Sequence, residues 1–362
     1  MSVTTLGCFI TSHGFGHASR SLAVLEELHR LLPALRFEIF TRTPYWFLEE
    51  NLDPSCFAHH QLDVDIGLVQ KNPFEHDLTA TLNRLNDFLP LSESTIGPLA
   101  DTLRKKNCGA IFCDISVLGI AVANAIGVPS ILLENFTWDW IYEEYADEVP
   151  AFSDFTGLIR SAYAQANLHL QTEPVCNRRA RAISIPPISR RFRVPREKTR
   201  ASLNVMPKEH LVLLTTGGIR GSYEMLDRLR ERSNVRFLLS GSSETLRFEA
   251  NMIHLPHRSG HHHPDLLMAS DALVGKAGYG TVAEARASGI PFARVLRDNF
   301  RESPILETYL DKHVLGFKLS ETCFNNGSWI DRLDELLSKK RKDNINENGA
   351  TLVAERITPL IN

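Results

Sequence analysis

His13, Gly14, Gly16 and His17 fall within five residues of one another, directly after the apolar run LGCFI near the start of the chain. Glycine after a strand lets the backbone take positive φ and lets a ligand approach the main chain closely. An imidazole at a helix start meets the positive end of the dipole, which disfavours its charged form. A neutral imidazole beyond the end of a strand can take a proton from a hydroxyl, so His17 is the candidate general base. His13, Gly14, Gly16 and Arg20 would line the same side of the site as His17. The structural alternative is a glycine turn whose histidines only cap a helix. The loop is not a dinucleotide fingerprint, because Ser19 stands where the third glycine belongs, and no P-loop Gly-Lys-Ser/Thr follows.

The second constellation is SDALVGKAGYGTVAEARASGIPF, residues 270–292. An apolar run enters a glycine turn that holds Gly278, Tyr279 and Gly280, and a helical pattern follows. Turn amides and a helix start form an anion site, and Lys276 adds a positive charge. Thr281 and Glu284 are three residues apart and share a helix face. A carboxylate there can accept both hydroxyls of a ribose while Thr281 and the amides face a diphosphate. A nucleoside diphosphate meets both demands. The alternatives are a first-turn acid that merely suits the dipole and a solvated lysine. A second glycine turn, TTGGIRGS at 215–222, offers Gly217, Gly218 and Arg220 to phosphate, with an exposed arginine as the plain reading.

Asn135, Trp138 and Asp139, in ENFTWDWIYEEY, follow another apolar run. Aromatic faces against sugar C–H surfaces with a carboxylate nearby would suit an acceptor cleft, although at least one tryptophan is expected in the core. Asp114 ends a further apolar run; it either enters the site as a catalytic group or caps the next helix. His261, His262 and His263 invite a metal reading. Three consecutive histidines cannot all face one ion from a regular element, so a polar loop and no metal are expected. Residues 178–200 hold nine Lys/Arg against one acid. This proline-containing stretch reads as a solvated connector with some of its arginines paired, or as an attractor of an anionic, lipid-linked acceptor at a membrane surface.

Such groups need a scaffold that gathers strand ends. Apolar runs at 6–11, 37–41, 110–114, 130–134 and 168–171 alternate with helical patterns such as 19–32 and 120–126. The alternation restarts at 210–215, 235–239, 252–255, 272–274 and 292–296, with a helix at 279–288. Two-sided apolar strands separated by helices imply parallel sheets covered on both faces. The expected fold is α/β: two Rossmann-like doubly wound parallel-sheet domains facing across a cleft. Residues 1–186 would form the first domain and 187–343 the second. By analogy, a helix within 344–362 would pack back on the first domain.

The totals agree. A chain of 362 residues suits two domains. A net charge of -3 supplies no basic field for nucleic acid. Six scattered cysteines without a C-x-x-C pair favour reduced thiols and a cytoplasmic compartment. No run approaches the roughly 20 apolar residues of a membrane helix, and the start lacks a signal-peptide pattern. Peripheral membrane contact stays open.

A GxGH loop in one α/β half and a GxGTxxE helix in the other resemble the GT-B glycosyltransferases of the family 28-like type. That group includes the enzyme adding N-acetylglucosamine to lipid-linked peptidoglycan precursor. Arg20 replaces the proline of that group's pattern after the histidine. Over nearly the whole length, the stretches SHGFGHASR, LENFTWDWIYEEY, VGKAGYGTVAEA and VLRDNFRESPILETYL are similar to the glycosyltransferase-like N-terminal half of the plant L-arabinokinases. No galactokinase-type half follows, so kinase activity is not implied. The resemblance implies that residues 1–186 are the acceptor side and 187–343 the nucleotide-sugar side, with His17 as base, Gly278, Gly280 and Thr281 around a diphosphate, and Glu284 on the ribose. It also implies that the stretch with Arg297, Asp298 and Glu302 faces the donor sugar. Many relatives carry Asp/Glu-Gln there, whereas this chain has Glu302-Ser303.

The resulting expectation is an inverting, metal-independent transfer from a nucleotide sugar, a UDP-sugar first, to a hydroxyl acceptor. The nucleotide sugar is a substrate, and no cofactor is called for. GFGHASRSLAV also looks like the GxGHxxRxLxLA of a UDP-sugar hydrolase, which would use water; an epimerase is a third variant. A non-catalytic nucleotide-sugar-binding module is the alternative of a different class.

Overall fold

The computed structural model describes residues 5–70, 76–216, 225–298, 300–342 and 347–361. The chain forms two compact units. The first comprises Met1–Ile188, Asn299–Glu302 and Asn348–Asn362; the second comprises Ser189–Asp298 and Ser303–Glu347.

The first unit is built on β1 (Thr5–Ile10), β2 (Arg36–Phe40), β3 (Phe57–His60), β4 (Cys108–Asp114), β5 (Ser130–Glu134), β6 (Leu168–Thr172) and β7 (Ile183–Ile185). Their order is β3-β2-β1-β4-β5-β6-β7, and every pairing is parallel. All six residues of β1 and all five of β5 are buried, which is why these strands are apolar on both faces rather than alternating. The helices Phe15–Leu31 and Gly349–Ile361 share one core with the sheet through Leu22, Leu25, Val353 and Ile357 against Leu6 and Ile10. The order reverses at β1, so the C-terminal ends of β1 and β4 flank the crevice where doubly wound sheets bind ligands.

The second unit repeats the plan with β8 (His210–Thr215), β9 (Val235–Ser240), β10 (Arg247–Glu249), β11 (Met252–Leu255), β12 (Ala272–Lys276), β13 (Phe292–Val295) and β14 (Gly316–Leu319). The order is β10-β11-β9-β8-β12-β13-β14, and only the β10–β11 pairing is antiparallel. Its switch point lies between β8 and β12. Gly275 is fixed there: its φ is +152°, and a Cβ would come within 1.9 Å of the Thr215 carbonyl oxygen on β8.

Three features differ from the sequence expectation. The first helix begins at Phe15, not at 19, because Gly14 takes the N-cap position with φ +84°. Strands β3, β7, β10 and β14 went unread; they are short, partly exposed and carry polar residues. The chain does pass from the first unit to the second within 178–200, at Ile188 and Ser189, but the solvated reading of this stretch is corrected. This stretch contains β7 and the helix Arg196–Ser202, and Arg190 and Arg200 are each only 6% exposed. Arg200 donates to the carbonyls of Met206, Glu209 and Ala269, while Arg196 pairs with Asp271. Basic composition reads as solvated until the distant acceptors are known.

Candidate functional site

In the first unit, β1 delivers the glycine-histidine turn and β4 delivers Asp114. His17, the third residue of its helix, points Nδ1 at Asp114 Oδ1, 2.8 Å away. Arg20, one turn on, places Nε 2.6 Å from Asp114 Oδ2 and Nη2 2.8 Å from Oδ1. Ser21 Oγ donates to Oδ2 at 2.9 Å. Burial alone would raise the Asp114 carboxyl, but the Arg20 guanidinium and His17 outweigh it and hold it at about 2. Asp114 is therefore ionised and accepts from His17 Nδ1–H, which leaves the lone pair of the ring on Nε2. Arg20 Nη2 also lies 2.9 Å from Nδ1. We assign the Nδ1 proton to the Asp114 bond, because a guanidinium and N–H are both donors. The ring packs edge-on against Phe136, and its side chain keeps 9% exposure. Asp114 does not cap the next helix; Ser116 does, accepting from the Gly119 amide.

Arg20 is 1% exposed, and its guanidinium is taken up by protein groups of this unit. Asn135, at the end of β5, accepts from Arg20 Nη1 and donates to Glu302 at 2.7 Å. Glu302 belongs to this unit, and Arg301 beside it lies over the Trp140 ring at 4.3 Å. Trp138 is buried; its Nε1 donates to Asp65 at 3.0 Å, and its ring meets His13 edge-on. Asp139 is buried and pairs with Arg160 and Arg179. Sequence reading missed Asp65. This carboxylate also accepts from Thr11 Oγ1 at 2.7 Å, and burial pushes it up to about 7. Nothing local in QLDVDIG marks it.

In the second unit, the turn after β12 leads into the helix Tyr279–Ser288, with Gly278 as N-cap. Among the described residues, a Cβ added at Gly278 would meet no heavy atom within 4 Å, so packing does not demand this glycine. Lys276 and Thr281 are half-buried, Tyr279 and Gly280 buried, Arg297 half-buried and Asp298 exposed. Glu284 is buried; Oε1 accepts from Arg190 Nε at 2.8 Å and Oε2 faces His263 Nδ1 at 3.0 Å. Burial would raise this carboxyl, yet Arg190 and His263 hold it at about 2. A carboxylate has about four lone-pair positions, so Glu284 retains capacity for two hydroxyls. Arg190 was hidden in the presumed connector. The three histidines diverge: His261 bonds to Ser202 and the Ser259 region, His262 lies 3.8 Å from Asp265, and His263 faces Glu284. Gly217, Gly218 and Arg220 lie outside the described residues.

No family model matches the chain. Over 356 residues it is 26% identical to the L-arabinokinase of Arabidopsis thaliana, covering 96% of this chain and 33% of that protein. The chain thus spans about a third of the length of the curated relative it matches. The glycosyltransferase of kitacinnamycin matches with a TM-score of 0.65 and 13% identity over 99% of each chain. Arabidopsis thaliana UGT89C1, solved with UDP-L-rhamnose, matches with a TM-score of 0.57 and 17% identity, covering 99% of this chain and 94% of that one. These likenesses establish the GT-B fold, two Rossmann-like α/β units. Among the described residues, no helix is long and apolar enough to cross a membrane.

Proposed function

We propose that the chain is a nucleotide-sugar-dependent glycosyltransferase, acting on a UDP-sugar and a hydroxyl acceptor with inversion and without a metal. The observation that carries this reading is the His17–Asp114 pair at the switch point of the first sheet. His17 Nε2 takes the acceptor proton. The acceptor oxygen bonds to the anomeric carbon from the face opposite the diphosphate, whose C–O bond breaks with its electron pair leaving on UDP. A single displacement of this kind inverts the anomeric centre.

The second unit supports the donor half. The turn at Gly278, the start of the following helix and Lys276 suit a diphosphate, and Glu284 suits the ribose hydroxyls. With Lys276 and the turn amides on the leaving group, this reading calls for no metal. Arabidopsis thaliana UGT89C1 was solved with UDP-L-rhamnose and VinC with dTDP, which supports a nucleotide-linked donor here.

A thermal-shift screen against nucleotides and nucleotide sugars, followed by product analysis, tests the reading. UDP and one UDP-sugar should raise the melting temperature, and a glycoside of inverted configuration should form. Free sugar in place of glycoside would make the protein a hydrolase, with water in the acceptor's role. Tight binding without any product would make it a binding module. Stabilisation by no nucleotide at all would end the proposal.

A further inference from the structure

Five buried side chains of the first unit form one hydrogen-bonded chain: His17, Asp114, Arg20, Asn135 and Glu302. The most exposed of them, His17, is 7% accessible. The order of donors and acceptors is fixed. A guanidinium only donates and a carboxylate only accepts, so the Asn135 amide between Arg20 and Glu302 has one orientation.

The charges show what the chain favours. Counted as the carboxylates that accept from Arg20 and from Asn135, Asp114 and Glu302 bring two negative charges against the one positive charge of Arg20. With a neutral imidazole the five residues sum to minus one; with an imidazolium they sum to zero. In a low-dielectric setting the neutral sum favours proton uptake by His17. Without the charge on Glu302 the same uptake would run from zero to plus one.

Other titratable groups face this network. Asp65 lies toward Asp114 and is pushed up to about 7 by burial. Cys176 Sγ is 3.9 Å from Asn135 Nδ2, and burial keeps its thiol well above the ordinary range. Glu134, near Cys176, is bonded to His169 and Gln171. His13 sits against Trp138.

We propose that Arg20 and Asn135 are positioning residues that tie Glu302 to the His17–Asp114 pair, so that the proton affinity of His17 is set from residue 302. This rests on reading His17 as the proton acceptor.

The test is an NMR titration of the ligand-free protein with labelled histidine, the His17 signal being assigned with His17→Gln. Glu302→Gln keeps an acceptor for Asn135 and removes only the charge. It should lower the His17 midpoint by roughly half a pH unit or more. Arg20→Gln, which leaves Asp114 uncompensated, should raise it. In an Asn135→Ala background the Glu302→Gln effect should shrink to less than half, the signature of coupling. If Asn135→Ala does not fold, Asn135→Leu, which is of similar size, adds no charge and cannot donate to Glu302, replaces it. A midpoint unmoved by Glu302→Gln at unchanged melting temperature overturns the proposal, as does an equal shift with and without Asn135. The readout needs no turnover: coupled midpoints in a protein that makes no glycoside would sink the transferase reading and leave the network standing. Uncoupled midpoints in an active enzyme would do the reverse.

Discussion

His17 Nδ1 and Asp114 Oδ1 lie 2.8 Å apart although 97 residues separate them in the chain. The parallel pairing of β1 with β4 brings Ile10 beside Asp114, and the turn after β1 returns His17 over that edge. The contact is thus a product of strand order.

Replacing His17 by alanine removes the proposed base but none of the second unit's groups. Turnover should fall on the order of 10²- to 10⁴-fold. UDP affinity by calorimetry should stay at the wild-type value. A variant that kept full rate would exclude His17 as base.

Asp114→Ala should reduce stability as well as rate. It leaves the buried Arg20 without its bonds to both oxygens of the Asp114 carboxylate, at a cost of about 3–5 kcal/mol. Chemical denaturation of the purified variant measures this, and a loss below about 1 kcal/mol would mean that Arg20 finds other partners.

Glu284→Gln tests the ribose contact. Hydrogen bonds to a charged group are worth enough that UDP affinity should drop roughly 10- to 100-fold. A UDP analogue lacking both ribose hydroxyls should already bind the wild type that weakly and should lose little more with the variant. Equal losses for UDP and the analogue would confine Glu284 to its pairing with Arg190 and His263.

Two glycines three residues apart, Gly275 and Gly278, should separate fold from binding. Gly275→Ala forces a Cβ onto the Thr215 carbonyl and should cost about 2 kcal/mol or more. Gly278→Ala, at φ -102°, should leave the melting temperature nearly unchanged and weaken UDP binding. Unaltered UDP affinity in Gly278→Ala would move the diphosphate elsewhere.

Stability should depend on pH in two opposed ways. Asp114 and Glu284 are held at about 2, below their ordinary values. Their contribution is present above about pH 4.5 and is lost as pH falls toward 2. Asp65 is raised to about 7, so the folded state binds its proton more tightly than the unfolded chain does. Stability from that group declines as pH rises from about 4 to 7. Asp65→Asn mimics the protonated acid and should flatten this decline in melts across that range. A wild-type slope retained by Asp65→Asn would assign it to another group.

The strands that carry the site were legible because they are buried on both sides. Runs such as 130–134 and 210–215 coincide with β5 and β8. Edge strands such as β10 have exposed positions and give no such signal. The positions of His17, Asp114 and Glu284, at strand ends and in the helices that follow glycine turns, were legible. Arg190 and Asp65 were not, since each acts on a partner far along the chain.

Alternating apolar runs and glycine turns in the sequence determined two doubly wound α/β units and the loops that bear reactive groups, because periodicity and backbone freedom are local properties. Only the tertiary structure decided that Arg20 clamps Asp114, that Arg190 holds Glu284, and that Glu302 bonds to Asn135. Burial fixes those pairs: a charge withdrawn from water must find its counterpart in space, and spacing along the chain does not record where that counterpart lies.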